Sequence, residues 1–123
     1  MLPAKKKTAK TENNMTQFVH EQKDNLFILR LSGDLIGESS GAAIIEKANE
    51  AVNNGLKKCV VDISGLRYIN SSGIGVLITL LTKFRNKSGE LYLMKPSESV
   101  QKLLVITKLN AIFTIIESEA EVR

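Results

Sequence analysis

Cysteine and histidine occur once each in this 123-residue chain, at Cys59 and His20, and tryptophan is absent. One cysteine excludes an internal disulfide. His20 and Cys59 stand far apart with no third soft ligand, which excludes the clustered Cys/His sets that hold structural zinc. No D-x-D or E-x-x-E spacing gathers carboxylates for an oxygen-only cation site. No run of 18 apolar residues is present, so no helix long enough to span a bilayer is expected. The opening MLPAKKKTAKTENNM has lysines but no apolar stretch behind them, unlike a secretory signal. The composition predicts a soluble cytoplasmic domain without a cofactor, and it leaves few parts for enzyme chemistry.

What is present suffices for one core. The apolar fraction is 43%, and the length suits one domain of ordinary size. Basic residues outnumber acidic ones by 17 to 13. Lys5, Lys6, Lys7 and Lys10 supply the whole excess, because residues 1–10 contain no Asp or Glu. The remainder carries 13 of each sign and is balanced. A nucleic-acid partner needs a basic face on the folded domain, and none is visible. Residues 1–14 are therefore expected to be a disordered basic tail, with a single domain over 15–123.

Apolar periodicity orders the elements. Residues 15–22 (MTQFVHEQ) read as a short strand, and Lys23, Asp24 and Asn25 as a turn. Residues 26–31 (LFILRL) read as a strand pairing back on the first. Residues 33–37 form a connection with two glycines. A helix is expected from Ser39 or Ser40, either of which could cap it, with Ile44, Ile45, Ala48 and Val52 on its apolar face. Asn53, Asn54 and Gly55 end it. Residues 59–63 (CVVDI) read as a central strand buried on both faces, followed by a loop over 64–70. A second helix over 72–85 places Ile74, Leu77, Ile78, Leu81 and Phe84 toward the core. Residues 91–94 form a strand stopped by Pro96. Ser97 or Ser99 opens a third helix, and residues 112–116 form a final strand. The order β-β-α-β-α-β-α-β predicts an α/β fold: a small mixed sheet with helices packed against it.

The informative stretch is Asn70, Ser71, Ser72 and Gly73 at the start of the second helix. Asn and Ser are good capping types. The free N–H groups of a first helical turn and the helix dipole make such a corner mildly positive. A phosphate adds about −1.5 to −2 charges at pH 7. The helix end would stabilise that charge, so its effect would fall on a partner touching the corner. Gly73 and Gly75 would let a neighbouring chain approach the first turn.

Residues 60–80, VVDISGLRYINSSGIGVLITL, resemble the signature of the STAS domain, in particular the anti-sigma factor antagonists of bacteria. Residues 96–110, PSESVQKLLVITKLN, resemble the family's third helix, and Gly33-Asp34-Leu35 resembles its Gly-x-Leu after the second strand. The resemblance implies a STAS-like fold and a partner switch. The unmodified protein binds an anti-sigma factor that is also a serine kinase, which frees the sigma factor. Phosphorylation ends the binding, and a serine phosphatase reverses it. The family's acceptor is the first serine of D-S-S-G or D-S-T-G, which falls on Ser71. Asn70, Ser72, Gly73, Ile74, Asp34 and Ile36 are then the expected partner-binding residues, with Arg67 and Tyr68 beside them. Nothing in the resemblance implies direct nucleic-acid or membrane binding.

This chain departs from the family's pattern twice. Asn70 stands where the family usually has Asp, which keeps the capping oxygen and removes a charge beside the acceptor. Ile36 stands where an acidic residue is common. These departures motivate an alternative: a STAS adaptor in a larger signalling or transport assembly that is never phosphorylated. A hydrolase using Ser71 is disfavoured because G-x-S-x-G is absent and a triad would need His20. Nucleotide binding is disfavoured because neither phosphate-loop pattern is present.

Overall fold

The run of Leu26, Phe27, Ile28 and Leu29 needs cover on both faces, and it opens the second of five strands in one mixed sheet. The computed structural model describes residues 16–36 and 39–122. In chain order the elements are β1 (Gln17–Lys23), β2 (Leu26–Leu35), α1 (Ser39–Asn53), β3 (Lys58–Ile69), α2 (Ser71–Arg85), β4 (Glu90–Met94), α3 (Glu98–Ile106) and β5 (Thr114–Ile116). Short 3₁₀ turns, Leu109–Ala111 and Glu119–Glu121, flank β5. The strands lie side by side in chain order. β1 runs antiparallel to β2, and every other pair is parallel. The α/β order read from the sequence is the order observed. The expected tail over 1–14 lies outside the described residues.

Three successive right-handed crossovers, each stepping one strand in the same direction, place all three helices on one face of the sheet. Alternation along the strands supplies that face. Leu29, Leu31, Val61, Ile63 and Leu93 meet Ile44, Leu77, Leu80, Phe84 and Leu104 from the helices. Each such side chain contributes roughly 1.5–3 kcal/mol when fully buried. Cys59 lies in this core, and burial pushes its thiol pKa far up, so it behaves as a small apolar residue.

Among the described residues no α-helix covers the opposite face. Val60, Tyr92, Met94 and Ile116 cluster there, with Leu26 and Val122 packed against them. The segment after β5 crosses this face. Glu119 reaches Lys23 and Arg30, both at 3.5 Å. Arg30 also binds Asp62 at 3.1 Å.

Several details differ from the sequence expectation. The loop expected over 64–70 is mostly strand, because β3 continues to Ile69 alongside an equally extended β2. The register slips between Arg30 and Ser32 and again between Gly33 and Asp34. Gly33 takes φ +84 there, a conformation that suits glycine. Ser39 is already helical, so the capping position of α1 is residue 38, outside the described residues. Ile78 was expected in the core but is 39% exposed, because α2 meets the sheet through Val76, Leu77, Leu80, Leu81 and Phe84 instead. β5 begins at Thr114 rather than 112, because the chain first turns through Leu109–Ala111 and buries Phe113.

Candidate functional site

The carboxyl ends of β2 and β3 meet the start of α2 at one corner, and Asn70 ties them together. Its backbone N–H donates to the Leu35 carbonyl at 3.2 Å, and its own carbonyl accepts the Ile74 N–H at 2.9 Å. Its side-chain oxygen accepts the Gly73 N–H at 2.8 Å, which makes Asn70 the N-cap of α2. Gly73 is buried directly under Leu35, and an added Cβ would stand 2.1 Å from the Leu35 carbonyl oxygen. The close approach expected at Gly73 is thus made within the chain. Nothing lies within 4 Å of the corresponding point at Gly75.

This locking leaves Ser71 and Ser72 exposed as the first two helical residues. The first turn of α2 carries no acidic side chain, while Lys83 and Arg85 sit in the last turn. The basic pair complements the helix dipole, while the acid-free first turn leaves its positive end uncompensated, so the start of α2 is electrostatically suited to a negative group. Beside it, Asp34 accepts a charged contact from Arg67 at 3.3 Å. Asp34 faces Tyr68 in the β2–β3 register. Thr16, at the entrance to β1, donates its hydroxyl to the Asp34 carbonyl at 2.5 Å. Ile36 is half-buried, and Ile74 is half-buried against the core. Residues 37 and 38, which would complete the adjoining connection, lie outside the described residues.

Asn70, Ser71, Ser72, Gly73 and Ile74 therefore share one corner, and the backbone bond to Leu35 brings Asp34 and Ile36 to its flank. Arg67 and Tyr68 extend it into a groove of about 180 Å³ whose far wall is Ser99, Val100 and Leu103 of α3. Ser99 Oγ donates to the Arg67 carbonyl at 3.5 Å, and Ser97 Oγ to the Leu66 carbonyl at 3.3 Å. Sequence reasoning took these two serines only as helix caps. No local pattern signals the second role, because it depends on α3 folding back across β3.

Asp62 lies away from this corner. Its Oδ1 accepts the Ser64 N–H at 3.0 Å and the Ser64 hydroxyl at 2.8 Å, and Oδ2 meets Arg30. Burial alone would raise its pKa, but these partners outweigh burial and hold the carboxyl below the usual carboxylate range. His20 is also remote. It pairs with Leu29, and its ring sits 6.0 Å from that of Phe27. Along β2 that is roughly 20 Å from Leu35, at the strand rise of about 3.3 Å per residue. Ser71 therefore has no imidazole beside it. Among the described residues no group of three His, Cys, Asp or Glu could hold a metal ion, and no helix is long and apolar enough to cross a membrane.

Residues 17–122 match the family model of the STAS domain. The chain belongs to that family. It is 32% identical, over 73 residues, to a Thermotoga maritima protein provisionally named an anti-sigma factor antagonist. That stretch is 59% of this chain and 65% of the relative, so the match spans just under two thirds of the relative's length. An anti-sigma F factor antagonist of Paenibacillus polymyxa is 25% identical over 103 residues, 84% of this chain and 88% of that one. The anti-sigma factor antagonist SpoIIAA in its unphosphorylated form has the same fold. Its TM-score is 0.73 at 22% identity, over 85% of this chain and 91% of that chain. SpoIIAA of Bacillus is also known in its phosphorylated form, with a TM-score of 0.68.

Proposed function

We propose that this protein is an anti-sigma factor antagonist whose binding is gated by phosphate on Ser71. The unmodified corner docks on an anti-sigma factor that is also a serine kinase, and the sigma factor is released. Phosphorylation of Ser71 ends docking, and a serine phosphatase restores it. The observation that carries this reading is the placement of Ser71. It is an exposed hydroxyl at the first position of a helix whose cap and first turn are fixed by Asn70 and by the Gly73–Leu35 contact. A group added there changes charge without disturbing the packing beneath. The relatives' names agree with such a role, and one of them, SpoIIAA, is known in a phosphorylated form.

In this reading the protein is a binding module, not a catalyst. Ser71, Ser72 and Ile74 form the contact surface, with Asp34 and Ile36 at its side, while Asn70 and Gly73 hold it in shape. The test uses the anti-sigma kinase encoded in the source genome, purified, with ATP. Phosphate should appear on Ser71, and Ser71→Ala should remain unlabelled. Ser71→Asp should weaken binding at least about tenfold, in line with a charge placed at an interface core. Labelling of Ser71→Ala as fast as wild type would remove the site assignment. The second reading, a STAS adaptor that is never phosphorylated, is motivated by Asn70 in place of an acidic residue. Unchanged affinity for Ser71→Asp would favour it.

A further inference from the structure

The sheet face turned away from the three helices is covered by residues 117–122, and that segment is bonded mainly to itself. The Glu117 and Ser118 N–H groups donate to Oε2 of Glu121 at 2.8 and 3.0 Å. The Glu121 N–H donates to the Ser118 carbonyl, and the Val122 N–H to the Glu119 carbonyl, both at 3.1 Å. Among the described residues, the backbone hydrogen bonds of this segment close inside it. Side chains join it to the sheet. Val122 packs against the cluster of Val60, Tyr92, Met94 and Ile116, and Glu119 meets Lys23 and Arg30 at 3.5 Å.

These attachments are weak. The Lys23 side chain is 63% exposed, and ion pairs of that kind contribute little. The segment can lift away with its own hydrogen bonds intact, and Arg30 then still holds Asp62 at 3.1 Å and Glu21 at 3.6 Å. The fit is also incomplete. A cavity of about 490 Å³ remains between the segment and the β1–β2 turn, with Lys23, Leu26, Lys58, Ala120 and Val122 among its walls. Ala120 offers this space a single methyl group, and unfilled space forfeits the contacts its walls could make.

We propose that this face is a second interaction surface, built for an acidic segment of a partner protein, and that residues 117–122 are its resident competitor. The competitor displays the pattern the face accepts: Glu119 for Lys23 and Arg30, and an apolar Val122 three positions on. A partner segment with a bulky apolar residue directly after the Glu fills the cavity that Ala120 leaves. It therefore displaces the chain's own segment, which keeps the apolar cluster covered at other times. A second copy of this chain brings the same Ala120 and leaves the same cavity, so a different protein is favoured. Ser71 plays no part in this surface, which lies across the sheet from α2.

The test uses two capped, dye-labelled peptides: ESEAEV, the sequence of residues 117–122, and its Ala120→Phe counterpart. Each is titrated into the full chain and into the full chain carrying Glu119→Gln with Val122→Ser, and fluorescence anisotropy reads binding. The Ala120→Phe peptide should bind the intact chain saturably and about fivefold or more tighter than ESEAEV, because it buries a larger apolar side chain. Both should bind the doubly substituted chain about tenfold tighter, because the competitor is weakened. Lys23→Gln should lower affinity about twofold at low salt and have no effect in 1 M salt. Amide NMR shifts should gather at Lys23, Val60 and Tyr92 and spare Ser71. No saturable binding of the Ala120→Phe peptide at millimolar concentrations would overturn the proposal, as would equal affinity for the two peptides or shifts gathered elsewhere. Equal affinity of the intact and doubly substituted chains would remove the competitor role. A doubly substituted chain that sediments as a dimer would give the face to a second copy instead. Should that chain fail to fold, the two peptides on the intact chain decide alone.

Discussion

The side-chain oxygen of Asn70 and the backbone N–H of Gly73 stand 2.8 Å apart, and this bond begins α2. The same Asn70 is bound through its backbone to Leu35, so the cap also fixes the helix to the sheet. Asn70→Ala should cost about 1 kcal/mol, within the usual range for a lost N-cap. Asn70→Asp keeps the accepting oxygen and should be neutral or slightly stabilising, because a negative charge at a helix start is favourable. Urea unfolding of the three proteins checks both directions.

Gly73 and Gly75 lie in the same helix turn but should answer oppositely to alanine. At Gly73 the new Cβ meets the Leu35 carbonyl at 2.1 Å, and the obstacle is backbone that cannot step aside. Gly73→Ala should destabilise by about 2 kcal/mol or more, as over-packing does. At Gly75 the space is open, and Gly75→Ala should add up to about 1 kcal/mol through helix propensity. Thermal denaturation should show the two midpoints moving to either side of wild type.

Asp62 predicts a pH dependence. Its folded pKa is lowered by Ser64 and Arg30 despite the opposing effect of burial. A lowered carboxyl contributes stability above its unfolded value, near pH 4, and loses it as pH falls toward the folded value. Asp62→Asn should therefore cost about 1–2 kcal/mol between pH 5 and 7. The gap to wild type should close progressively below about pH 4. Denaturant midpoints measured from pH 7 to pH 2.5 decide the matter, and a gap that widens in acid would contradict the assignment.

The segment crossing the helix-free face is held by two different forces. Val122 packs on the apolar cluster around Val60 and Tyr92, while Glu119 contacts Lys23 and Arg30. Val122→Ser should cost about 1 kcal/mol at any salt concentration, because area is lost from an apolar contact. Glu119→Gln should cost no more than about 0.5–1 kcal/mol at low salt and nothing measurable at 1 M. Stability curves at two ionic strengths separate the contributions.

Much of this fold was legible because its signals are local. Leu26 to Leu31, Cys59 to Ile63 and Leu91 to Met94 announce buried strands by density of apolar residues, and Asn53-Asn54-Gly55 announces a helix end. The corner was legible for the same reason, since Asn70, Ser71 and Gly73 are neighbours in sequence. What escaped was decided across strands. Ser64, Gly65, Arg67 and Tyr68 look like a loop, and they become strand only because residues 32–35 run beside them. Ile78 has helical spacing with Ile74 and Leu81, yet α2 meets the sheet through Leu77, Leu80, Leu81 and Phe84 and leaves Ile78 exposed. The Arg67–Ser99 contact joins parts of the chain that no window of sequence places together.

The two margins of the sheet are unlike its interior. β5 is three residues long, and β1, exposed along nearly its whole length, carries His20, Glu21 and Lys23. Neither margin offers a long apolar ribbon of unpaired amides onto which another copy could add. Among the described residues, the charges on β1 and the shortness of β5 therefore disfavour addition of a second copy edge to edge.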